Sequence, residues 1–126
     1  MPTILIVEDE PHIRTLIEQS LETLEEEDGV EILTAENGID ALEIIKARRP
    51  QLVFLDVMMP RMNGFDVCNT VKNTLGMNYV YVILLTAKGQ EFDKEKGLEC
   101  HCDQYITKPF SPRELKRMAR DILGLK

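Results

Sequence analysis

Thr3-Ile4-Leu5-Ile6-Val7-Glu8-Asp9-Glu10 is the stretch on which the reading of the fold turns. An unbroken apolar, largely β-branched run stops abruptly at three carboxylates. A half-solvated antiparallel strand would alternate apolar and polar residues, whereas a continuous run suits a strand covered on both faces of a parallel sheet. Similar runs recur at Glu31–Thr34, Leu52–Leu55 and Tyr79–Leu85, with a weaker fifth at Tyr105–Thr107.

Helical patterns fill the intervals. Ile13, Leu16, Ile17, Leu21 and Leu24 recur at three-and-four spacing, as do Ala41, Leu42 and Ile45, and then Phe65, Cys68 and Val71. The last helix has the clearest start, with Ser111 as N-cap, Pro112 at N1 and Glu114 placed to close a capping box. The fourth, around Glu91–Glu99, carries Gly97 and few large apolar residues, so it reads as the weakest and most mobile. Alternating β and α units with right-handed crossovers give a three-layer α/β sandwich, (βα)5. Ligands of such sheets sit beyond the C-terminal strand ends, at a switch in strand order.

Length and charge bound the function. With 126 residues the chain reads as one domain, 1–126, large enough to fold without a metal or disulfide staple. Fifteen Lys and Arg against 22 Asp and Glu leave a net charge of −7, which argues against direct nucleic-acid binding by this surface. No apolar run approaches the ~20 residues of a membrane span, and the N-terminus lacks the pattern of a signal peptide. Three cysteines, two of them separated only by His101, read as free thiols in a reducing cytoplasm.

The strand ends share a chemistry. Glu8 and Asp9 end the first strand, Asp56 the third and Thr86 the fourth, while Lys108 follows the fifth. Any strand can end in a polar residue, but four of them meeting at the ligand edge form a coherent set. Clustered carboxylates repel one another unless a cation sits among them. Hard oxygen ligands suit Mg²⁺ or Mn²⁺ better than zinc. An ionised Asp can accept a phosphoryl group, whose charge a metal and a Lys ammonium offset.

LIVEDE (5–10), TAENG (34–38), LDVMMPRMNG (55–64), LLTAK (84–88) and YITKPF (105–110) occur in that order. With these motifs the whole chain resembles a response-regulator receiver domain of two-component signalling, of the single-domain, chemotaxis-regulator-like kind. The resemblance implies a flavodoxin-like fold with strand order 2-1-3-4-5. It implies that Glu8, Asp9, Asp56 and the Met58 backbone carbonyl hold Mg²⁺ or Mn²⁺. Asp56 would take phosphate from the phosphohistidine of a sensor histidine kinase or histidine phosphotransfer protein, with Lys108 contacting the phosphoryl group. Thr86 and Tyr105 would form a coupled switch acting on the face of the fourth helix, fifth strand and fifth helix, and so on a downstream protein target. The Lys108-Pro109 bond is expected to be cis. The domain would catalyse its own phosphorylation and dephosphorylation without being a conventional enzyme. Met58 and Lys88 are expected to tune phosphate lifetime, and Ala87 to leave room over the acceptor. Pro60 and Gly64 are read as shaping the loop after Asp56, the glycine through its backbone freedom.

Other features read as ordinary structure. Cys100-His101-Cys102 departs from the small residues usual there, but with no further Cys or His in view a zinc site lacks a fourth ligand. His12 reads as solvated, Met58, Met59 and Met62 as packing or shielding, Glu25–Asp28 as a solvated helix end, and Tyr79 and Tyr81 as strand packing. A flavin site would need neutral, Gly-rich phosphate loops in place of Glu8-Asp9-Glu10. A dehalogenase-type phosphohydrolase would want a second carboxylate where Met58 stands. Two organisations remain open: a stand-alone regulator, or the N-terminal receiver of a larger DNA-binding or enzymatic regulator.

Overall fold

The computed structural model describes residues 2–86 and 94–125. The expectations for Ala87 and Lys88, and the start of the fourth predicted helix, lie outside the described residues. Five parallel strands form one sheet in the order β2-β1-β3-β4-β5. They are β1 Thr3–Val7, β2 Glu31–Ala35, β3 Leu52–Asp56, β4 Tyr81–Thr86 and β5 Gln104–Thr107. Every neighbouring pair is parallel, and the register brings Asp56 beside Leu85 and Thr86 beside Thr107.

Helices cover both faces: α1 Pro11–Ser20, α2 Glu22–Asp28, α3 Gly38–Arg48, α4 Gly64–Asn69, α5 Lys94–Cys100 and α6 Pro112–Leu123. Strand periodicity sorts the core between them. Leu5, Val7, Val53, Leu55, Val82 and Leu84 pack with residues of α3, α4 and α5. Ile4, Ile6, Leu52, Phe54, Ile83 and Leu85 pack with residues of α1, α2 and α6. Each fully buried side chain of this kind stabilises the fold by roughly 1.5–3 kcal/mol.

Three features depart from the sequence reading by more than a single terminal residue. The first helical pattern is interrupted at Leu21, where φ −104° and ψ 2° separate α1 from α2 while the side chain stays buried. Strand β4 begins at Tyr81, not Tyr79, and Tyr79 is exposed rather than packed in a strand. A π-helical stretch, Thr70–Thr74, continues α4. The wider turn shifts the helical phase, so the adjacent Val71 and Lys72 are both buried. Ser111 does cap α6, its Oγ accepting from the Glu114 backbone N–H at 3.4 Å. Asn37 and Asn63 cap α3 and α4 in the same way, each at 2.9 Å.

Candidate functional site

Glu8 follows β1 directly, and the buried strand carries it out of water: its residue exposure is 0%. Asp56, the last residue of β3, is 4% exposed. Asp9, beyond Glu8, is open to solvent. One carboxylate oxygen from each of Glu8, Asp9 and Asp56 lies within 4.8 Å of the others. The trans oxygens of an octahedron with bonds near 2.1 Å stand about 4.2 Å apart, so this donor set fits Mg²⁺ with little adjustment.

Lys108 comes from beyond β5 and reaches across to the same cluster. Its Nζ lies 2.7 Å from Glu8 Oε1 and 3.4 Å from Asp56 Oδ2. The shorter contact is an ion pair whose angle falls short of a directional hydrogen bond, leaving Oε1 capacity for a further cation. Burial pushes the Glu8 carboxyl up to about 7, and a hydrogen bond with Asp56 adds to this against the opposing pull of Lys108. Burial alone would lower the Lys108 pKa, but contacts with Glu8 and Asp56 outweigh it and the net direction is upward.

Local backbone fixes the loop around Asp56. The Met58 backbone N–H donates to Asp56 Oδ1 at 3.2 Å. Gly64 N–H donates to the Val57 carbonyl at 3.0 Å. A Cβ on Gly64 would stand 2.4 Å from the Asp56 carbonyl oxygen and 2.9 Å from Val57 Cα. The glycine is therefore required by close approach, not by the backbone freedom expected from sequence. Arg14, which the sequence reading passed over, donates to the Glu8 carbonyl at 2.9 Å and pairs with Glu36 at 3.4 Å, bracing the end of β1. Its only sequence signal was a basic residue in the first helix, one turn after the acidic run.

Thr86 is buried, and its hydroxyl donates to the Ile106 carbonyl at 3.3 Å and lies 3.4 Å from the Thr107 hydroxyl. Tyr105 lies on β5 beside Leu84 and is exposed. The Lys108-Pro109 peptide is cis, as expected. Met59 and Met62 pack against the core while Met58 is exposed, so only part of the methionine cluster shields anything. The three cysteines are free, but Cys68 lies against Cys100, a neighbour that sequence spacing concealed. No helix is long and apolar enough to cross a membrane among the described residues.

A five-stranded parallel sandwich with three carboxylates and a lysine at its C-terminal edge defines the class to which this molecule belongs. The pattern of the response regulator receiver domain family matches residues 4–120, and the chain belongs to that family. It is 42% identical over 120 residues to the alkaline phosphatase synthesis transcriptional regulatory protein PhoP of Bacillus subtilis, covering 95% of this chain and 48% of that protein. It is 44% identical over 121 residues to the phosphate regulon transcriptional regulatory protein PhoB of Pseudomonas aeruginosa, covering 96% and 51%. The chain thus spans about half the length of the curated relatives it matches. Among solved structures, the chemotaxis protein CheY4 of Vibrio cholerae superposes with a TM-score of 0.82 at 26% identity, covering 97% of this chain and 98% of that one. The receiver domain of sensor histidine kinase PA1611 from Pseudomonas aeruginosa, solved with magnesium coordinated in its active site cleft, gives a TM-score of 0.83 at 28% identity, covering 98% of both chains.

Proposed function

We propose that residues 1–126 form one receiver domain whose phosphoacceptor is Asp56. The observation that carries this reading is the juxtaposition of a nearly buried Asp56 with Glu8, Asp9 and the Lys108 ammonium. An Asp56 oxygen attacks the phosphorus of a phosphohistidine, the N–P bond breaks and an O–P bond forms. The donor is a sensor histidine kinase or histidine phosphotransfer protein. Lys108 offsets the added negative charge from one side of the acceptor. Glu8, Asp9, Asp56 and the Met58 backbone carbonyl hold a divalent cation, Mg²⁺ or Mn²⁺. When bound, that ion supplies charge neutralisation for the phosphoryl oxygens. The domain's own groups thus promote both gain and loss of phosphate, without turnover of an external metabolite.

The output follows from the two switch residues. Thr86 leaves its bond to the Ile106 carbonyl for the phosphoryl group, and Tyr105 moves inward from its exposed position on β5. The surface of α5, β5 and α6 changes and is read by a protein target. A phosphate that binds the two conformations unequally shifts the population between them. The test is transfer from a phosphorylated histidine-kinase domain in the presence of Mg²⁺. Label should appear in the wild type and be absent from Asp56→Ala and from a chelator-treated sample. Amide exchange should then change mainly across 94–107; changes confined to 11–48 would contradict the switch.

A second reading concerns organisation. The relatives named above are transcriptional regulators about twice this length, which favours a receiver working within a larger regulator. The expectation that nucleic acid plays no part draws no support from them, because the net charge describes only these 126 residues. Sequencing past the codon for Lys126 in the native gene separates the two organisations.

A further inference from the structure

Three free thiols lie on α4, at the end of α5 and in the turn that follows it. Cys68 is fully buried on α4, and its Sγ donates to the Cys100 backbone carbonyl at 3.3 Å. Cys100 ends α5 with 2% exposure, its own Sγ lying 3.4 Å from the Gly97 carbonyl. Cys102 is half-buried in the turn to β5. The cluster is not arranged as a metal site: the one group of metal-ligand type among the described residues is Glu8, Asp9 and Asp56. His101, the remaining nitrogen donor, sets its Nδ1 2.5 Å from Asn73 Oδ1.

Cys100 nevertheless borders open space. It forms part of the wall of a pocket of about 230 Å³ with Asn63, Phe65, Asp66, Asn69, Lys96 and Glu99. Lys96 stands over the Phe65 ring, 5.9 Å from its centroid, and shares the wall with the carboxylates of Asp66 and Glu99. A pocket of this size has room for a small uncharged oxidant.

We propose that Cys100 is an oxidation site: hydrogen peroxide entering this pocket converts it to a sulfenic acid, and Cys68 then condenses with it to a disulfide that ties α4 to α5. In the first step the Cys100 sulfur attacks a peroxide oxygen, the O–O bond breaks and one water leaves. In the second, the Cys68 sulfur attacks the sulfenic sulfur, the S–O bond breaks and a second water leaves. Two thiols lose two electrons and two protons, and one peroxide becomes two waters. Hydrogen bonds from Cys102 first, and then Cys68, pull the Cys100 pKa down against the effect of burial, which favours its thiolate as the attacking group. Cys68 is pushed up and remains the thiol until the second step.

Cys68 is favoured over Cys102 as the partner because its Sγ already lies 3.3 Å from the Cys100 backbone carbonyl across the packed α4–α5 interface. A bond to Cys102 would close a small ring around His101, whose φ of 59° and contact with Asn73 hold that turn in place. The bridge would enclose β4, and with it Thr86, in a covalent loop.

The test exposes the reduced, full chain to a few equivalents of hydrogen peroxide, with and without denaturant, followed by alkylation and peptide mass mapping. The folded wild type should lose two alkylatable thiols and two hydrogen masses and yield a Cys68–Cys100 linked peptide, faster than the unfolded chain. Cys102→Ser should keep the link. Cys68→Ser should stop at a sulfenic acid on Cys100 that dimedone traps, and Cys100→Ser should form no link. A link between Cys68 and Cys102, a link between Cys100 and Cys102, or equal reactivity in the folded and unfolded chain overturns the proposal. The wild-type peptide map decides the matter by itself if a serine variant fails to fold.

Discussion

Lys108 and Glu8 form an ion pair between the two strand ends that lie furthest apart among the four contributing strands, with Nζ 2.7 Å from Oε1. In the order β2-β1-β3-β4-β5, the lysine passes over β4 and β3 to reach the end of β1. Asp56, on β3, lies on that path, 3.4 Å from the same nitrogen. One ammonium therefore serves two buried carboxylates, and the third, Asp9, is left to solvent. This imbalance governs how the domain responds to pH, metal and substitution.

The first prediction is the pH dependence of the metal-free protein. Glu8 stands at about 7 in the fold against 4.5 in the unfolded chain. Between those values the native state holds more protons, so stability falls as pH rises. The stabilisation is complete below the unfolded pKa and is lost as pH passes through the folded one. Its full size is on the order of 3 kcal/mol. Urea midpoints in chelator should drop from pH 5 to pH 8, and Glu8→Gln should flatten the slope. A slope of the same size in the variant would assign the effect elsewhere.

Magnesium should act in the opposite sense. Three carboxylates against one ammonium leave the metal-free site overcharged, and an ion that binds only the folded state stabilises it by mass action. With a Kd on the order of 1 mM, ~10 mM Mg²⁺ contributes about 1.4 kcal/mol. That raises Tm by a few degrees in a domain of this size. Asp56→Asn removes one of the crowded charges, so it should melt higher than wild type in chelator and gain less from Mg²⁺. A lower melting point in chelator with an undiminished gain would mean that the carboxylates do not act as one site.

Gly64 provides a steric test of the acceptor loop. An added Cβ meets backbone, the Asp56 carbonyl oxygen at 2.4 Å, and backbone cannot rotate away as a side chain would. Gly64→Ala should cost about 1–3 kcal/mol in unfolding free energy. It should also weaken the magnesium response, because the displaced segment includes Asp56. Gly76→Ala has open space around it but a positive φ, so it should be destabilised through backbone strain alone and keep its metal response.

A second ion pair, between a buried Lys72 and a partly exposed Asp103, separates structure from function. Lys72 donates to Asp103 Oδ2 at 2.7 Å, and the same oxygen accepts from Val82 N–H at 2.7 Å. Asp103→Ala takes the carboxylate from the buried Lys72 ammonium, leaving it the Val80 carbonyl, and orphans the Val82 amide, so it should cost roughly 1–3 kcal/mol. Lys72→Met keeps the apolar stem and leaves Asp103 a partner and some solvent, so it should cost less. Denaturant titrations that rank the two the other way would contradict this account. Neither should alter Mg²⁺ binding to the folded domain, since the pair lies away from Glu8 and Asp56.

Much of this was legible in the sequence because the relevant signals are local. A continuous apolar run ended by carboxylates identifies both a doubly covered strand and what it delivers to the sheet edge, as with Leu5–Asp9 and Leu52–Asp56. What was not legible depends on distance in space. Lys72 next to buried Val71 looks solvent-facing on a 3.6-residue wheel, and only the π-helical stretch turns both inward. Cys68 and Cys100 lie 32 positions apart, so their contact leaves no spacing pattern. Gly64 read as a flexible turn residue because a close backbone approach and a need for positive φ both call for glycine. Tyr79 extended an apolar, aromatic run past the true start of β4, since propensity does not mark where pairing begins.

The most direct measurement is the intact mass of the chain after incubation with Mg²⁺ and a small acyl phosphate, followed by reductive mapping of the modified residue. The account predicts one added phosphoryl group, on Asp56, dependent on the metal and absent from Asp56→Asn. Lys108→Ala should sharply reduce its rate of formation. Phosphate on Glu8 or Asp9, or undiminished labelling of Asp56→Asn, would contradict the assignment of Asp56 as the acceptor.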